Sequence, residues 1–476
     1  MKKLDKNVLD SDHVGRLLLT LTMPAFFAMA VNTLYNIVDT IFIGQYVGPL
    51  GIAGLALVFP IQILSIGIGL MAGMGGASLI SRMLGAGRIS RAARALGNSI
   101  TITAVLSLLV TVVGLSNEAF LCRLLGATDN TVGYTSGYLH IILIGLVFMT
   151  FSMTLSTVIR ADGNAKVPMI GMIIGAGLNI VLDAVFIIPL HMGTRGAAWA
   201  TIIAQFVSVV YFFYYYLFGK PEVTFKLADL KPDWKVIGEI FAVGVSALGM
   251  TLAGSLSAVV VNRTVVSFGG DFAMSAYGIV NRVMMFVIMP AIVTGQGLQP
   301  IIGFNYGAMR YDRVMRGIKI GVTATTLIGI TVFLLVFFFP GAVVEIFTKD
   351  TELIKLASYA VKRVFFAMYL VGLINIGATV FQSLGKAIQA FFSTMTRSML
   401  FLLPAILIMP RFWGLNGVWW AFPIADFGTF VLVFSMLVPV WLELRRHNSA
   451  QNRKTEVALI SEDFNEAGTG SSQVVI

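Results

Sequence analysis

Long apolar segments recur along the whole chain and leave few folds open to it. A helix needs about 20 apolar residues to cross the hydrocarbon core of a bilayer. Only 12% of the residues are charged, against about 25% in soluble domains. We therefore predict an all-α, multi-pass integral membrane protein with about twelve transmembrane helices: 17–43, 52–80, 95–116, 134–158, 168–188, 197–218, 237–267, 273–303, 317–340, 356–382, 388–410 and 415–441.

The second half of the chain repeats motifs of the first half at an almost constant offset in numbering (307 − 85 = 222, 414 − 193 = 221). Repeats at a fixed offset indicate duplicated structural units. Six helices per unit is an even number, so both units enter the membrane in the same orientation, as parallel repeats. Three motif pairs carry the repeat: Gly85-Ala86-x-Arg88-x-x-Arg91 with Gly307-Ala308-x-Arg310-x-x-Arg313, Thr157-Val158-x4-Gly163-x-Ala165 with Thr379-Val380-x4-Gly385-x-Ala387, and Gly193-x-x-Gly196-x-x-Trp199-Ala200 with Gly414-x-x-Gly417-x-x-Trp420-Ala421.

Basic residues concentrate in alternate loops, which sets the predicted topology. Cytoplasmic loops of membrane proteins carry an excess of Lys and Arg, so we place both termini in the cytoplasm and the protein in the cell membrane. The net charge of +10 then reflects these loops, and we expect no nucleic-acid partner. The predicted segments are a cytoplasmic N-terminus (1–16), an N-lobe (17–218), a cytoplasmic linker (219–235), a C-lobe (236–441) and a polar, disordered tail (442–476).

No motif for enzyme chemistry or for a bound cofactor occurs in the chain. The phosphate-binding loop of ATP-driven proteins is missing, and the four histidines form no metal-binding pattern. The single cysteine, Cys122, rules out an internal disulfide framework. We therefore predict a protein that is not an enzyme, has no cofactor and does not use ATP directly.

Two carboxylates lie within predicted spans of the first repeat, Asp39 and Asp183. A charged Asp at the centre of a spanning helix costs about 2.5–3.5 kcal/mol on insertion scales, so such residues usually serve function. At about 1.5 Å per residue, Asp39 lies about 33 Å and Asp183 about 24 Å from the cytoplasmic ends of their helices, both in the outer half. Asn179 precedes Asp183 by one turn. Thr201 lies at a similar depth on the next helix.

These residues predict a pocket in the first repeat, together with Tyr35 and Asn36 one turn before Asp39. Two nearby carboxyl groups can share one proton. Joined by amide and hydroxyl oxygens, they also suit a hard cation such as Na⁺, held by Asp39, Asn179 and Asp183. The residues do not choose between H⁺ and Na⁺. The alternative is that each of the two aspartates is a structural residue, either hydrogen-bonded or neutral.

Other intramembrane polar residues and a proline receive separate interpretations. We interpret Asp426 as a partner of a helix kink, and Arg263 and Arg282 as side chains that extend toward the membrane surface. Pro24 removes one backbone hydrogen bond from the first helix and permits bending there.

A second group of residues could line a substrate cleft. Methionine side chains adapt to varied apolar ligands, although most such residues in membrane proteins face lipid or other helices. The cleft candidates are Met284, Met285, Met289, Gln296, Asn375 and Gln382.

Three motifs resemble those of the multidrug and toxic compound extrusion (MATE) family over about residues 15–440. They are Asn36-Ile-Val-Asp39-Thr40-Ile-Phe-Ile-Gly44, Leu178-Asn179-x3-Asp183 and Gly85-Ala86-x-Arg88. The resemblance implies two six-helix lobes around a central cleft. It also implies that Asp39, Asn179, Asp183 and Thr201 match the family's N-lobe cation or proton site, and that Pro24 matches a hinge proline. The chain departs from members with acidic residues in the second lobe, because it has Asn262, Arg263, Asn375 and Gln382 on the corresponding helices.

The resemblance implies a secondary active exporter that exchanges structurally varied, often cationic drugs for H⁺ or Na⁺ by alternating access. We accordingly expect small-molecule drugs and membrane lipid as partners and a monomeric protein. The alternative from a similar fold is a flippase for lipid-linked oligosaccharides, which would need a larger and more basic central cavity. A passive channel would not need the buried carboxylate pair, and a membrane enzyme would need a catalytic set that the chain lacks.

Overall fold

The computed structural model describes residues 9, 13–224 and 226–469. Most of the chain predicted as an N-terminal segment (1–16), and the end of the predicted tail (470–476), lie outside the described part. The helices are α1 Val14–Tyr46, α2 Pro49–Gly85, α3 Ile89–Ser116, α4 Glu118–Leu124, α5 Val132–Ala161, α6 Lys166–Ile187, α7 Gly193–Phe218, a 3-10 turn Leu227–Leu230, α8 Trp234–Gly307, α9 Tyr311–Phe338, α10 Pro340–Glu345, α11 Thr351–Val364, α12 Met368–Leu384, α13 Ala387–Met395, a π-helix Thr396–Leu402, α14 Leu403–Trp413 and α15 Leu415–Thr469.

The helices provide twelve membrane crossings. Ten helices of the described chain, counting α13–α14 as one, are long and apolar enough to span, and the bent pair α11–α12 adds another. The 74-residue α8 supplies two crossings, since a straight helix of that length would measure about 110 Å. Its two arms meet at Gly270, where a φ of 64° breaks the helix, a conformation that glycine adopts without strain. The all-α, twelve-span prediction is confirmed.

Two predicted elements differ from the structure. The predicted span 356–382 consists of α11 and α12, which bend by 50° at residues 365–367. The predicted disordered tail is helical as far as Thr469, because α15 continues from the last crossing. No glycine or proline occurs between Pro439 and Gly468 to end it.

The two lobes pack together at one end of the bundle. We call this the linker end, because the described residues of the connection between the lobes, 219–224 and 226–233, lie there. Its core combines apolar side chains of both lobes, including Leu79 and Leu84 of α2 with Ile240 and Ile302 of α8. Smaller separate cores lie within the N-lobe and the C-lobe.

Glycines let the backbones of α2 and α8 approach closely at the linker end. A Cβ atom placed on Gly75 would lie 2.1 Å from the Ile240 carbonyl oxygen, and one on Gly307 would lie 2.0 Å from the Arg82 carbonyl oxygen. Such distances leave no room for a side chain, so only glycine permits this packing. We call this contact between α2 and α8 the seam.

Polar contacts also join the lobes at the seam. Ser78 Oγ of the N-lobe donates to the Gln382 carbonyl oxygen of the C-lobe (2.5 Å), and within the C-lobe Gln382 Nε2 donates to Ser246 Oγ (3.2 Å). Arg91 of the N-lobe forms an ion pair with Glu239 of the C-lobe. These directional contacts supplement the apolar packing and stabilise the closed linker end.

The opposite end of the bundle is open between the lobes. Along α2, Ser65 to Leu84 are mostly buried, whereas Leu50 and Phe59 near its other end are 44% and 56% exposed. On α8, Leu256 and Phe286 are likewise exposed. The described chain therefore adopts a conformation that is closed at the linker end and open at the opposite end.

A buried carboxylate anchors the linker to the N-lobe. Asp162, just after α5, accepts hydrogen bonds from the Glu222 backbone N–H (2.9 Å), the Val223 backbone N–H (3.0 Å) and the Tyr215 hydroxyl (3.4 Å). Burial raises the pKa of the Asp162 carboxyl from 3.8 to about 8, and the neighbouring Glu222 adds to the rise. This group lies outside the membrane-spanning segments.

The raised pKa predicts a pH dependence of stability. Between about pH 4 and 8 the folded state keeps a proton on Asp162 that the unfolded state releases, so stability falls as pH rises through this range. We expect the melting temperature of the wild type to fall over this range more steeply than that of Asp162→Asn. Asp312→Asn, an exposed change at the same end, should keep the wild-type slope. Parallel curves for wild type and Asp162→Asn would contradict the prediction.

Candidate functional site

The N-lobe brings together side chains of three helices in the half that opens away from the linker end. Asp39 of α1 is half-buried, whereas Asp183 and Asn179 of α6 are fully buried. Thr201 of α7 is also buried. With a rise of about 1.5 Å per residue, Asp39 lies about 38 Å along its helix and Asp183 lies about 26 Å along its own.

Asn179 connects these groups through its amide. In the orientation that satisfies both amide atoms, Nδ2 donates to Asp183 Oδ2 (3.2 Å) and Oδ1 accepts from the Thr201 backbone N–H (3.3 Å). In the opposite orientation, Nδ2 donates to Thr201 Oγ1 (3.4 Å). In the first orientation, the three residues form one connected polar cluster.

One oxygen of each carboxyl group is buried without a protein partner. Both Asp39 Oδ1 and Asp183 Oδ1 have this property, and the two carboxyl groups lie close enough to interact electrostatically. Buried carboxylates without partners are unfavourable, and two together also repel. A proton or a cation bound between them would remove both penalties.

The structure adds two residues that the sequence interpretation missed. Tyr138 of α5 is buried, interacts electrostatically with both Asp39 and Asp183, and accepts a hydrogen bond from Gln62 Nε2 (3.2 Å). Gln62 lies within the second span, where polar side chains are uncommon. That unusual position could have identified Gln62 from the sequence. Tyr138 gives no such signal, because a tyrosine is not unusual in a membrane helix.

The two polar residues one turn before Asp39, Tyr35 and Asn36, lie in different surroundings. Tyr35 is half-buried and close enough to Asp39 to interact electrostatically. Asn36 is exposed, and its Nδ2 donates to the Asn32 carbonyl oxygen of its own helix (2.7 Å). The structure therefore brings Tyr35 to the pair and leaves Asn36 on the helix surface.

Pro24 lies where α1 crosses the second arm of α8. It is buried, and the adjacent Ala25 packs against Met289 and Val293. Thr22 Oγ1 nearby is buried without a partner, beside Gly297. Bending of α1 at Pro24 would thus alter its contact with the C-lobe.

The cleft candidates occupy different surroundings. Met285 is exposed, Met284 and Gln296 are half-buried, and Met289 is buried beside α1. Asn375 is half-buried, and its Nδ2 donates to the Val371 carbonyl oxygen (3.0 Å). Gln382 of α12 lies beside the closed seam, where its carbonyl oxygen accepts a hydrogen bond from Ser78 of α2.

The C-lobe polar residues form a different arrangement. Asp426 Oδ1 accepts a hydrogen bond from Arg397 Nε at 2.6 Å, so Asp426 is the partner of an arginine and its interpretation as a helix-kink partner is wrong. The pairing follows from the packing of the π-helix against α15. Arg263 and Arg282 are both exposed. No cluster of three acidic, His or Cys side chains suited to a metal occurs in the described part of the chain.

Comparison with known proteins agrees with the fold and the repeat. The MatE family model matches residues 24–185 and 246–407, two segments with the same offset as the sequence motifs. The multidrug export protein MepA of Staphylococcus aureus (strain MSSA476) is 26% identical over 88% of this chain and 92% of its own length. MepA of Staphylococcus haemolyticus (strain JCSC1435) shows the same identity and coverage.

Solved structures give the same result. The MATE multidrug transporter DinF-BH is 40% identical, with a TM-score of 0.82 over 89% of this chain and 95% of that one. An outward-facing MATE family transporter of the MOP superfamily has a TM-score of 0.87 at 23% identity, over 94% of this chain and all of that one; this likeness concerns the fold alone. The chain is a multi-pass membrane protein and a transporter rather than an enzyme, and it belongs to the MatE family.

Proposed function

We propose that this protein is a secondary active multidrug exporter that exchanges organic, often cationic, drugs for H⁺ or Na⁺ by alternating access. It works in the cell membrane with both termini cytoplasmic, so the open end of the bundle faces outward. The N-lobe (17–218) and C-lobe (236–441) move relative to each other about the linker (219–235). The observation that carries the proposal is the buried carboxylate pair with one unpartnered oxygen on each group.

In the conformation open to the outside, a cation reaches the cluster from the extracellular half. It binds to Asp39 and Asp183, with Asn179 and Thr201 as further oxygen donors. Binding neutralises the pair, weakens its attraction for a cationic drug in the cleft and relieves the repulsion between the carboxylates. The drug then leaves to the outside, and the loaded carrier can turn inward.

The inward-open state reverses these steps. The coupling ion leaves toward the cytoplasm, and the pair regains the negative charge that attracts the next cationic drug. The seam must open for this state, because its glycine contacts close the linker end. Pro24 lets α1 adjust to the change in charge, since α1 carries Asp39 and contacts α8 beside the proline.

The driving force depends on the net charge that crosses the membrane in each transport cycle. One elementary charge moving across about 100 mV contributes about 2.3 kcal/mol. Exchange of one H⁺ for one monovalent drug moves no net charge, so the gradient of the coupling ion alone drives it. Two coupling ions per drug would add the membrane potential as a driving force.

Proteoliposomes separate the possible coupling ions. Purified protein is reconstituted with a fluorescent organic cation, and pH or Na⁺ gradients are imposed separately across the bilayer. We expect drug to accumulate against its gradient with one of the two ions and to stop when that gradient collapses. Drug movement that only follows its own gradient would show passive transport and contradict the proposal.

A further inference from the structure

The C-lobe contains a buried ion pair that the exchange mechanism does not use. Arg397 is the second residue of the π-helix Thr396–Leu402, and its Nε lies 2.6 Å from Asp426 Oδ1 of α15. The Asp426 side chain is 4% exposed and that of Arg397 is 26% exposed. Removing a charged carboxylate from water this completely is costly, and a partner charge offsets part of that cost.

The internal repeat relates this pair to the neighbourhood of the N-lobe cluster. The offset takes Arg397 to Gly175 of α6 (397 − 222 = 175), and the offset of the last motif takes Asp426 to Gln205 of α7 (426 − 221 = 205). Gly175 packs on α7 beside this position, because a Cβ on Gly175 would lie 3.5 Å from the Ala204 carbonyl oxygen. Corresponding helices therefore meet at the same place in both lobes, but only the C-lobe places charges there.

The N-lobe cluster lies one turn away from this position. Asn179 follows Gly175 by four residues on α6, and Thr201 precedes Gln205 by four on α7. Their contact is therefore about 6 Å closer to the open end. Each lobe thus has a buried polar site between corresponding helices. The N-lobe site has two carboxyl groups with unpartnered oxygens, whereas the C-lobe site has one carboxyl group and a guanidinium.

We propose that the Arg397 guanidinium is a tethered cation that fills a cation site of the C-lobe, formed by Asp426, so that only the N-lobe exchanges its cation. Arginine stays protonated in proteins and cannot leave its helix. The C-lobe carboxylate is therefore permanently neutralised, and the number of ions per transport cycle is set by the N-lobe alone. The assignment of exchange to the N-lobe rests on the proposed function.

The surroundings of the pair are mainly aromatic and contain few other titratable groups. Tyr277 of α8 is the only other titratable group that interacts with the pair among the described residues. Its ring stacks on Trp419 (6.4 Å between centroids) and lies 6.1 Å from Phe422. A low-dielectric, aromatic environment strengthens the attraction of Asp426 for whichever cation is present.

The proposal predicts that removing the guanidinium creates a site for a free cation. The test uses detergent-purified protein that carries Asp39→Asn and Asp183→Asn, so that the N-lobe pair contributes nothing. Binding of radioactive Na⁺ at alkaline pH and proton release across neutral pH are measured. We expect no saturable Na⁺ binding in this background, in which Asp162 already titrates near neutral pH. Adding Arg397→Ala should give one bound Na⁺ per chain, or one titrating proton per chain more than the background releases.

A matched variant decides whether the new site is Asp426. Adding Asp426→Asn to the same protein should abolish the gained binding. Absence of any gain in Arg397→Ala protein with a wild-type gel-filtration profile, or a gain that survives Asp426→Asn, would overturn the proposal. The measurement does not involve drug, so a failed proposal here remains distinguishable from a failure of the exporter function.

A second variant covers the case in which Arg397→Ala does not fold. Replacing a buried ion pair by apolar residues is often neutral for stability, so Arg397→Leu/Asp426→Leu is made in the otherwise wild-type protein. We expect the ratio of coupling ions to drug, measured in proteoliposomes, to stay unchanged. A changed ratio would show that the pair takes part in ion exchange and would refute the tethered-cation role.

Discussion

Cells that produce the Asp39→Asn variant are expected to lose drug resistance although the protein reaches the membrane in normal amounts. The amide keeps the size of the carboxyl group but cannot exchange a proton, and it lacks the negative charge that attracts a cation. Loss of only about 1.4 kcal/mol of coupling already corresponds to a factor of ten, so export should fall at least tenfold. Drug efflux and membrane abundance are measured in the same cells.

The adjacent Thr40 supplies a matched control. It is exposed on the same helix, and its Oγ1 donates to the Asn36 carbonyl oxygen of its own backbone (2.9 Å). Thr40→Val should therefore export drug within about twofold of the wild type, since surface changes usually alter energies by less than about 0.5 kcal/mol. Normal resistance with Asp39→Asn would remove the carboxylate pair from the mechanism.

Closing of the seam should fail when Gly75 acquires a side chain. The Cβ of Gly75→Ala would lie 2.1 Å from the Ile240 carbonyl oxygen, far inside van der Waals contact, so α2 and α8 must separate. We expect export to fall to background while the lobes themselves stay folded. The inward-open state is then favoured because only the closed linker end contains the clash.

Labelling can detect this separation directly. A reporter cysteine at Ser78, which is buried in the seam, is introduced after the native Cys122 is changed to Ser. A maleimide should label the reporter faster in Gly75→Ala than in the wild type. Gly238→Ala lies on α8 with open space around its Cβ and should neither impair export nor raise labelling. If the Gly75→Ala variant exported drug at the wild-type rate, export would not require close contact between α2 and α8 at the seam.

The spans and the repeat could be predicted because each segment that crosses the bilayer must be apolar, whichever segments it packs against. Apolar length alone defines a crossing, and the glycine motifs reappear at a nearly constant offset. The bend between α11 and α12 has no such local signal, since residues 365–367 are Phe-Phe-Ala without glycine or proline. Its shape is set by packing, which the sequence does not show directly.

The site could be predicted from the sequence only for residues whose type is unusual in a membrane-spanning helix. Asp39 and Asp183 stand out because a carboxylate in a membrane helix requires an explanation, and their neighbours follow by helical spacing. Gln382 illustrates the limit. Its polarity indicates a buried partner, but the sequence does not show that its side chain bonds Ser246 of its own lobe while its backbone oxygen accepts from Ser78 of the other lobe. The pairing of Arg397 with Asp426 likewise depends on tertiary contact.

The last helix extends well beyond the bilayer. α15 has 55 residues, or about 80 Å of helix, whereas about 30 Å of hydrocarbon uses roughly 20 of them. The remaining length continues as helix from the last crossing, so we expect a small tilt of the C-lobe to produce a larger displacement at the tip of this helix. A fluorophore or a small rigid protein attached near Thr469 would therefore report each opening and closing of the transporter as an easily measured movement.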